Sequence, residues 1–286
     1  MTLEQLRVFI AVAEREHMTA AAQALHMTQS AVSAAIAALE ERHKVKLFHR
    51  VGRGIRLTEV GGDFLQEARA VVGRADRAEQ VLAELSGLRR GTLRVVASQT
   101  IAGYWLPRVL TAFRERYPHV VVEVLQGNTQ QAAQHVLEGR VDLGIVEGRV
   151  DHPALAQWVV GEDRLILVQN EACADEVDAE WLRRARWVMR EEGSGTRSSL
   201  EAALARVGVC GEDLDVSLVL PSNESVRTAV EAGCGVSALS SLVVDSALQE
   251  GRLHQLLWGL GGRPIWGLCH KEHYRSGVIE AFLALL

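Results

Sequence analysis

MTAAAQALHMTQSAVSAAIAALE, residues 18–40, is the stretch on which the reading of this chain turns. Thr19 is placed to cap a short Ala-rich helix from Ala20 to Leu25. Only His26 and Met27 separate it from Thr28, a second N-cap residue that opens a helix from Gln29 to about Arg42. Two helices joined by so short a turn make a helix-turn-helix. Just upstream, Leu3, Leu6, Phe9, Ile10 and Ala13 recur at three- and four-residue steps, the pattern of an amphipathic first helix.

The second helix of the pair divides by face. Val32, Ala35, Ile36 and Leu39 share one side. Gln29, Ser30, Ser33, Ala34 and Ala37 fill an arc of about 140° on the other, at about 100° per residue. That arc is small and uncharged, so it suits close approach to a major groove, where Gln29 matches an adenine edge. It suits packing against protein equally well. Downstream, KLFHRVGRGIRLT (46–58) sets Arg50, Arg53 and Arg56 around Gly52 and Gly54, which reads as a two-stranded wing with a basic tip.

Taken together, LEQLRVFIAVAE (3–14), the quoted stretch and KLFHRVGRGIRLTEVG (46–61) resemble the winged head of LysR-type transcriptional regulators. The resemblance covers nearly all of residues 1–62 in order and without a gap. It implies DNA contacts from Gln29, Ser30, Ser33 and the wing's Arg53, with Thr28 and Arg50 beside them. One position departs from the pattern: Ala34 stands where many relatives carry a long polar or basic side chain. Direct base reading is therefore expected to be sparse, with more specificity drawn from DNA shape.

Thr58 and Glu59 then open a long helix. Phe64, Ala68, Val71, Ala75, Ala78, Leu82 and Leu85 alternate steps of four and three, a heptad seam about three repeats long. It predicts a dimerisation helix over 59–90, with SGLRRG (86–91) as the hinge. The expected assembly is a homodimer or homotetramer that reads an interrupted dyad in double-stranded DNA, with RNA polymerase as a further partner.

From Gly91 short β-branched runs alternate with helical stretches, which predicts parallel sheets with helices on their faces. Strands are expected at 93–98, 120–126, 141–146, 164–169, 216–221 and 265–270. Helices are expected near 105–116, 129–138, 196–207, 224–232, 241–249 and 276–285. The fold class is thus α/β behind an α-rich winged head. The resemblance implies an effector domain over 91–286 made of two α/β subdomains like periplasmic binding proteins: lobe I from 91–161 plus 266–286, and lobe II from 162–265.

Polar residues cluster where strands end, the usual ligand position in open α/β folds. They are Ser98 and Thr100, Asn128 and Thr129, Glu147, and the run Ser194, Gly195 and Thr196 opening a helix. The Gly-rich turn at a helix start suits a small anion as well as it suits simple capping, and it lacks the Lys of a nucleotide P-loop. The segments GNT, DLGIVEG, REEGSGTR and SNESVRTAV resemble the LysR branch that regulates sulfur assimilation and carbon dioxide fixation. A small-molecule effector follows from that resemblance, sulfur oxyanions included. Glu147 repels an anion unless it is paired, protonated or holding an amino group; Arg190 and Arg197 are its available partners.

Composition sets the outer bounds. The chain has 286 residues, 48% hydrophobic and 23% charged, with a net charge of −5. The charge is divided: residues 1–58 hold 8 Lys/Arg against 5 Asp/Glu, and residues 91–286 hold 18 against 25. A mildly basic head precedes an acidic body. The apolar runs are too short for a membrane span and the N-terminus lacks a signal-peptide layout, so a cytoplasmic location is expected. The four cysteines (Cys173, Cys210, Cys234, Cys269) form no C-x-x-C and are expected to be reduced, buried thiols. His270 and His273 lack the further ligands of a metal site, so neither metal nor cofactor is expected. An enzyme is disfavoured because no G-x-S-x-G elbow occurs. A periplasmic-type binding protein without a DNA role is the alternative.

Overall fold

The computed structural model describes residues 1–51, 54–85, 91–172, 176–273 and 275–286. Arg53, residues 86–90 of the expected hinge, Cys173 and the side chain of Leu85 lie outside the described residues. Two compact units make up the chain, a head with a long helix and an α/β body.

In the head, α1 (Leu3–Arg15) is held at its start by a capping box between Thr2 and Gln5. α2 (Met18–Ala24) and α3 (Gln29–His43) follow. The cap of α2 differs from expectation. His17, in extended backbone, accepts from the Ala20 N–H at 3.3 Å, so Thr19 lies inside the helix. Thr28 caps α3, accepting from the Ala31 N–H at 3.2 Å. A hairpin of β1 (Phe48–Val51) and β2 (Gly54–Leu57) pairs antiparallel, Phe48 opposite Leu57. The core joins Leu6, Phe9 and Val12 of α1 to Val32, Ile36 and Leu39 of α3, with Phe48 from the hairpin. Phe9 is its hub, with ring centroids 5.5 Å from Phe48 and 4.9 Å from Phe64.

Thr58 caps α4 (Glu59–Leu85), accepting from the Gly61 N–H at 3.0 Å. The expected seam on this helix splits in two. Phe64 and Ala68 turn into the head's own core, so its outward-facing part starts at Val71. Val71 and Leu82 are 43% and 68% exposed.

The body runs β3 (Thr92–Ala97), a π-helical turn at Ile101–Trp105, α5 (Leu106–Arg116), β4 (Val121–Gln126), α6 (Thr129–Leu137), β5 (Leu143–Val146) and β6 (Leu155–Gln169). It continues through α7 (Ala179–Arg184), β7 (Arg186–Arg190), α8 (Gly195–Arg206), β8 (Asp215–Leu220) and α9 (Asn223–Glu231). β9 (Ser237–Ser240), α10 (Ser241–Gln249), β10 (His254–Leu256), β11 (Gly262–His270) and α11 (Gly277–Leu283) complete it. The sheets are mixed rather than parallel throughout. β3 pairs parallel with β4 and β5, and β7 with β8, whereas β11 runs antiparallel to both β5 and β6. The cause is β6 and β11, two long strands that run side by side in opposite senses. The C-terminal half of β6 also pairs with β9 and β10. A register shift between Ile265 and Trp266 marks the middle of the β6–β11 pair.

Two α/β subdomains follow from this, each with its own buried centre. One is built on Leu93, Val95, Phe113, Ile145 and Phe282. The other packs its helices around Trp187 and Leu167 on one side and Val188 and Leu239 on the other.

The cysteine expectation needs correction. Cys269 is buried, but Cys234 is half-buried and Cys210 is exposed, because Cys210 sits in the loop that starts a short 3-10 turn. No group of three or more His, Cys, Asp or Glu side chains among the described residues is arranged to hold a metal. No helix among them is long and apolar enough to cross a membrane.

Candidate functional site

The head presents one continuous exposed strip at the start of α3. Thr28, Gln29, Ser30, Ser33 and Ala34 are all exposed, while Val32 and Ile36 on the opposite side are buried. The Thr28 and Ser30 hydroxyls lie 3.1 Å apart. The strip has no charged side chain, so nothing on it keeps a backbone or a base at a distance. On the wing Arg50 is exposed, and neither Arg50 nor Arg56 makes an ion pair among the described residues. The wing is braced from behind by Glu40, a buried carboxylate that accepts from the Leu47 N–H at 2.9 Å, the Phe48 N–H at 3.2 Å and Lys46 Nζ at 2.6 Å. Burial pushes the Glu40 carboxyl up, but these three donors outweigh it and hold it below the ordinary carboxylate value.

In the body the expected residues converge on one small space. Ser98, Thr100, Asn128, Thr129, Glu147, Ser194, Gly195 and Thr196 line a cavity of about 10 Å³, together with Gln99, Arg190 and Asn223. That is room for about one water molecule. Strand ends β3, β5 and β7 and the starts of α6, α8 and α9 supply the walls. Bonds between the two subdomains keep the space small. Asn223 Nδ2 donates to Thr100 Oγ1 at 2.9 Å, and the Asn223 N–H donates to Gln99 Oε1 at 2.9 Å. Asn128 Nδ2 donates to Glu191 Oε1 at 3.2 Å, and the Gln130 N–H to the Gly193 carbonyl at 3.3 Å.

The start of α8 stands out within this space. Ser194 is its N-cap, yet its side chain makes no capping hydrogen bond, so the first amides of the helix lack that partner. Thr129 Oγ1, buried beside it, has no hydrogen-bond partner among the described residues. A Cβ on Gly195 would lie 2.6 Å from that oxygen and 2.6 Å from the Gly148 nitrogen, so only glycine admits this approach.

Charges in the cleft are paired, though not as the sequence suggested. Arg190 forks onto Glu191 at 2.8 and 2.9 Å and also donates to Asn223 Oδ1, while Arg197 binds Glu201 at 2.7 Å. Burial pushes the Glu191 carboxyl up, but the Arg190 guanidinium and Asn128 hold it below its usual value. Glu147 is served instead by Arg263, a residue that sequence reasoning missed. Its Nη2 lies 3.4 Å from Glu147 Oε1 and 2.6 Å from Asp163 Oδ2, and its Nη1 donates to Thr196 Oγ1 at 3.2 Å. Ser240 Oγ donates to the other Asp163 oxygen at 2.7 Å. All five side chains are buried. Arg263 is the second residue of β11 and a lone arginine, with no local motif to announce it. Asn223 lies inside SNESVRTAV, a segment that carries the family resemblance and a helix start but gives no sign of a cleft contact.

Comparison with known proteins places these two parts in one family. Residues 3–62 match the family model of bacterial regulatory helix-turn-helix proteins, lysR family, and residues 86–286 match the LysR substrate binding domain. Among similar proteins is the HTH-type transcriptional regulator YeiE of Escherichia coli (strain K12), 33% identical over 99% of this chain and 96% of that one. A RuBisCO operon transcriptional regulator of Allochromatium vinosum is 31% identical over 96% of this chain and 91% of its own. In fold, the chain is similar to the LysR family regulator CbnR (TM-score 0.71, 22% identity, 100% of this chain and 98% of that chain). CbnR has also been solved in full length with its target DNA, and that structure gives a TM-score of 0.70 at 23% identity, over 100% of this chain and 98% of that one. With both parts matched in order along almost its whole length, the chain belongs to the LysR family and is a DNA-binding transcriptional regulator with an effector-binding domain.

Proposed function

We propose that a small anionic metabolite in the cleft modulates operator binding by this regulator. The observation that carries the reading is the start of α8. Helix amides with no side-chain cap start beside a buried hydroxyl that has no hydrogen-bond partner among the described residues, and Ser194, Thr196 and Ser98 line the same space. Such a helix start favours negative charge. Arg263 offsets part of the charge of Glu147, being shared with Asp163, so the repulsion is reduced and the anion's main attraction is the helix start. A sulfur oxyanion is the first candidate, because its oxygens match the hydroxyl and amide donors in chemistry; the space holds about one water, so its entry requires bonds across the cleft to open. Lobe I is taken as 91–161 plus 266–286 and lobe II as 162–265, behind a head over 1–58 and a connecting helix over 59–90.

On the DNA side, Thr28, Gln29, Ser30 and Ser33 enter the major groove, and Arg50 and Arg53 of the wing hold the adjacent backbone. Two copies joined through Val71, Ala75, Ala78, Leu82 and Leu85 read an interrupted dyad, with Phe64 and Ala68 fixing the helix to each head. The full assembly is a homodimer or homotetramer in the cytoplasm, in reach of RNA polymerase. The effector acts by binding two arrangements of the lobes unequally.

The test is calorimetry on the full chain with sulfite, sulfate, phosphate and acetylserine, repeated on a Thr129→Val, Thr196→Val double variant. Saturable binding of one of the anions that the double variant weakens by about tenfold or more is expected. Equal affinity in both proteins overturns the assignment of the pocket.

A further inference from the structure

A second recess opens at the other end of β7. It holds about 500 Å³ and is lined by Gln169, Asn170, Trp181, Arg184, Arg186 and Gly235. Its volume lies in the range of small-molecule sites. Arg186 begins β7 and Arg190, which lines the cleft, ends it. The recess therefore sits about 13 Å from the cleft along one strand.

The walls are fixed before any ligand arrives. The Val236 N–H donates to the Arg186 carbonyl at 2.8 Å and the Val188 N–H donates to the Val236 carbonyl at 2.9 Å. Gly235 adopts φ 137°, and a Cβ there would fall 2.2 Å from the Arg186 oxygen, so glycine alone lets the chain pass this close. Trp181 packs on the subdomain core with part of its ring left over to line the recess.

Its lining carries two arginines and no carboxylate, with Asp215 opposite Arg186 in the β7–β8 pair and outside the lining. Arg186 is exposed and makes no ion pair among the described residues. Arg184 has only a 3.8 Å contact with Glu180, with the two side chains 72% and 73% exposed; such a pair holds the guanidinium weakly. Two arginine forks suit a carboxylate or phosphate. The indole is the aromatic surface in the lining and suits contact with a flat ring, and the Gln169 and Asn170 carboxamides add polar groups to it.

We infer that this recess binds a planar, ring-bearing organic anion, its charged end on Arg184 and Arg186 and its ring against Trp181. The site is separate from the cleft and independent of what the cleft holds. A ligand there bears on the same strand that carries Arg190.

Calorimetry on the full chain with benzoate, adenosine 5′-monophosphate and inorganic phosphate tests it, the first two separating a carboxylate source from a phosphate source. At least one ring-bearing probe is expected to bind saturably and more tightly than phosphate. Arg184→Ala with Arg186→Ala, both exposed positions, is expected to weaken it by about tenfold or more. Trp181→Leu is expected to weaken it too, with the fold checked by circular dichroism. The inference is overturned if neither ring-bearing probe binds up to about 10 mM, if phosphate alone binds as well, or if the arginine variant binds unchanged. Loss of binding in Thr196→Val with full binding in the arginine variant would assign the ligand to the cleft and overturn it as well.

Discussion

The head and the cleft solve recognition in opposite ways. On α3 the candidate contacts are neighbours in sequence, Thr28 to Ser33, and all are exposed. In the cleft the groups come from residues as far apart as Ser98 and Arg263, and almost every one is buried and bonded to another. The head is ready for a partner that supplies the missing contacts. The cleft is already closed on itself, with Asn223 on Thr100 and Arg263 on Glu147, so a ligand there must exchange one set of bonds for another. In the proposed mechanism, that exchange is what lets a small ligand move one subdomain against the other.

The largest expected effect breaks the cleft alone. Arg263→Ala leaves Asp163 and Glu147 buried without their cation, and loss of one partner of a buried ion pair costs about 3–5 kcal/mol. Urea denaturation of the full chain followed by tryptophan fluorescence should show the effector-domain transition moving to lower denaturant. Arg263→Lys keeps the charge but not the fork, and should fall between.

Next comes the head. Gln29→Ala should cost about 1–3 kcal/mol of operator binding if the carboxamide pairs with a base edge. Arg50→Ala should weaken binding to all sequences alike and lower the salt slope by about one. Fluorescence anisotropy across salt concentrations separates the two.

Glu40 gives the comparison a pH axis. Its carboxyl is held low in the folded head. It therefore adds stability above the carboxyl value of the unfolded chain, and that contribution fades as pH falls through the lower folded value. Glu40→Gln should cost about 1–3 kcal/mol near neutral pH and flatten the acid response. Hydrogen exchange of peptides carrying the Leu47 and Phe48 amides reads both effects.

The smallest effect is expected at Thr129. Its buried hydroxyl has no partner among the described residues, so Thr129→Val should leave stability within about 1 kcal/mol of the native chain while weakening an anion at α8. A clear loss of stability in thermal melts would mean that the hydroxyl is already satisfied.

The contrast also explains what was legible in the sequence. The helix-turn-helix, the wing and the alternation of strands and helices are local patterns, and Thr28 announces its helix as an N-cap should. The cleft hydroxyls were legible because strand ends and helix starts are local too. Arg263 was not, since its partners lie 67, 100 and 116 residues away and nothing in GRPIW marks it. The mixed sheet was hidden for the same reason, as β6 and β11 meet only through the fold. Phe64 and Ala68 fit a heptad seam and a head core equally, and only packing separates the two.

In the proposed mechanism the cleft governs the head. Its most direct test is anisotropy of the full chain on labelled DNA from upstream of its own coding sequence, with and without sulfite, sulfate or phosphate. One of these anions should shift the affinity of the native chain, and the shift should vanish in the Thr129→Val, Thr196→Val variant while its anion-free DNA affinity stays the same. A shift of equal size in the variant, or no shift with any of the three anions, would contradict it.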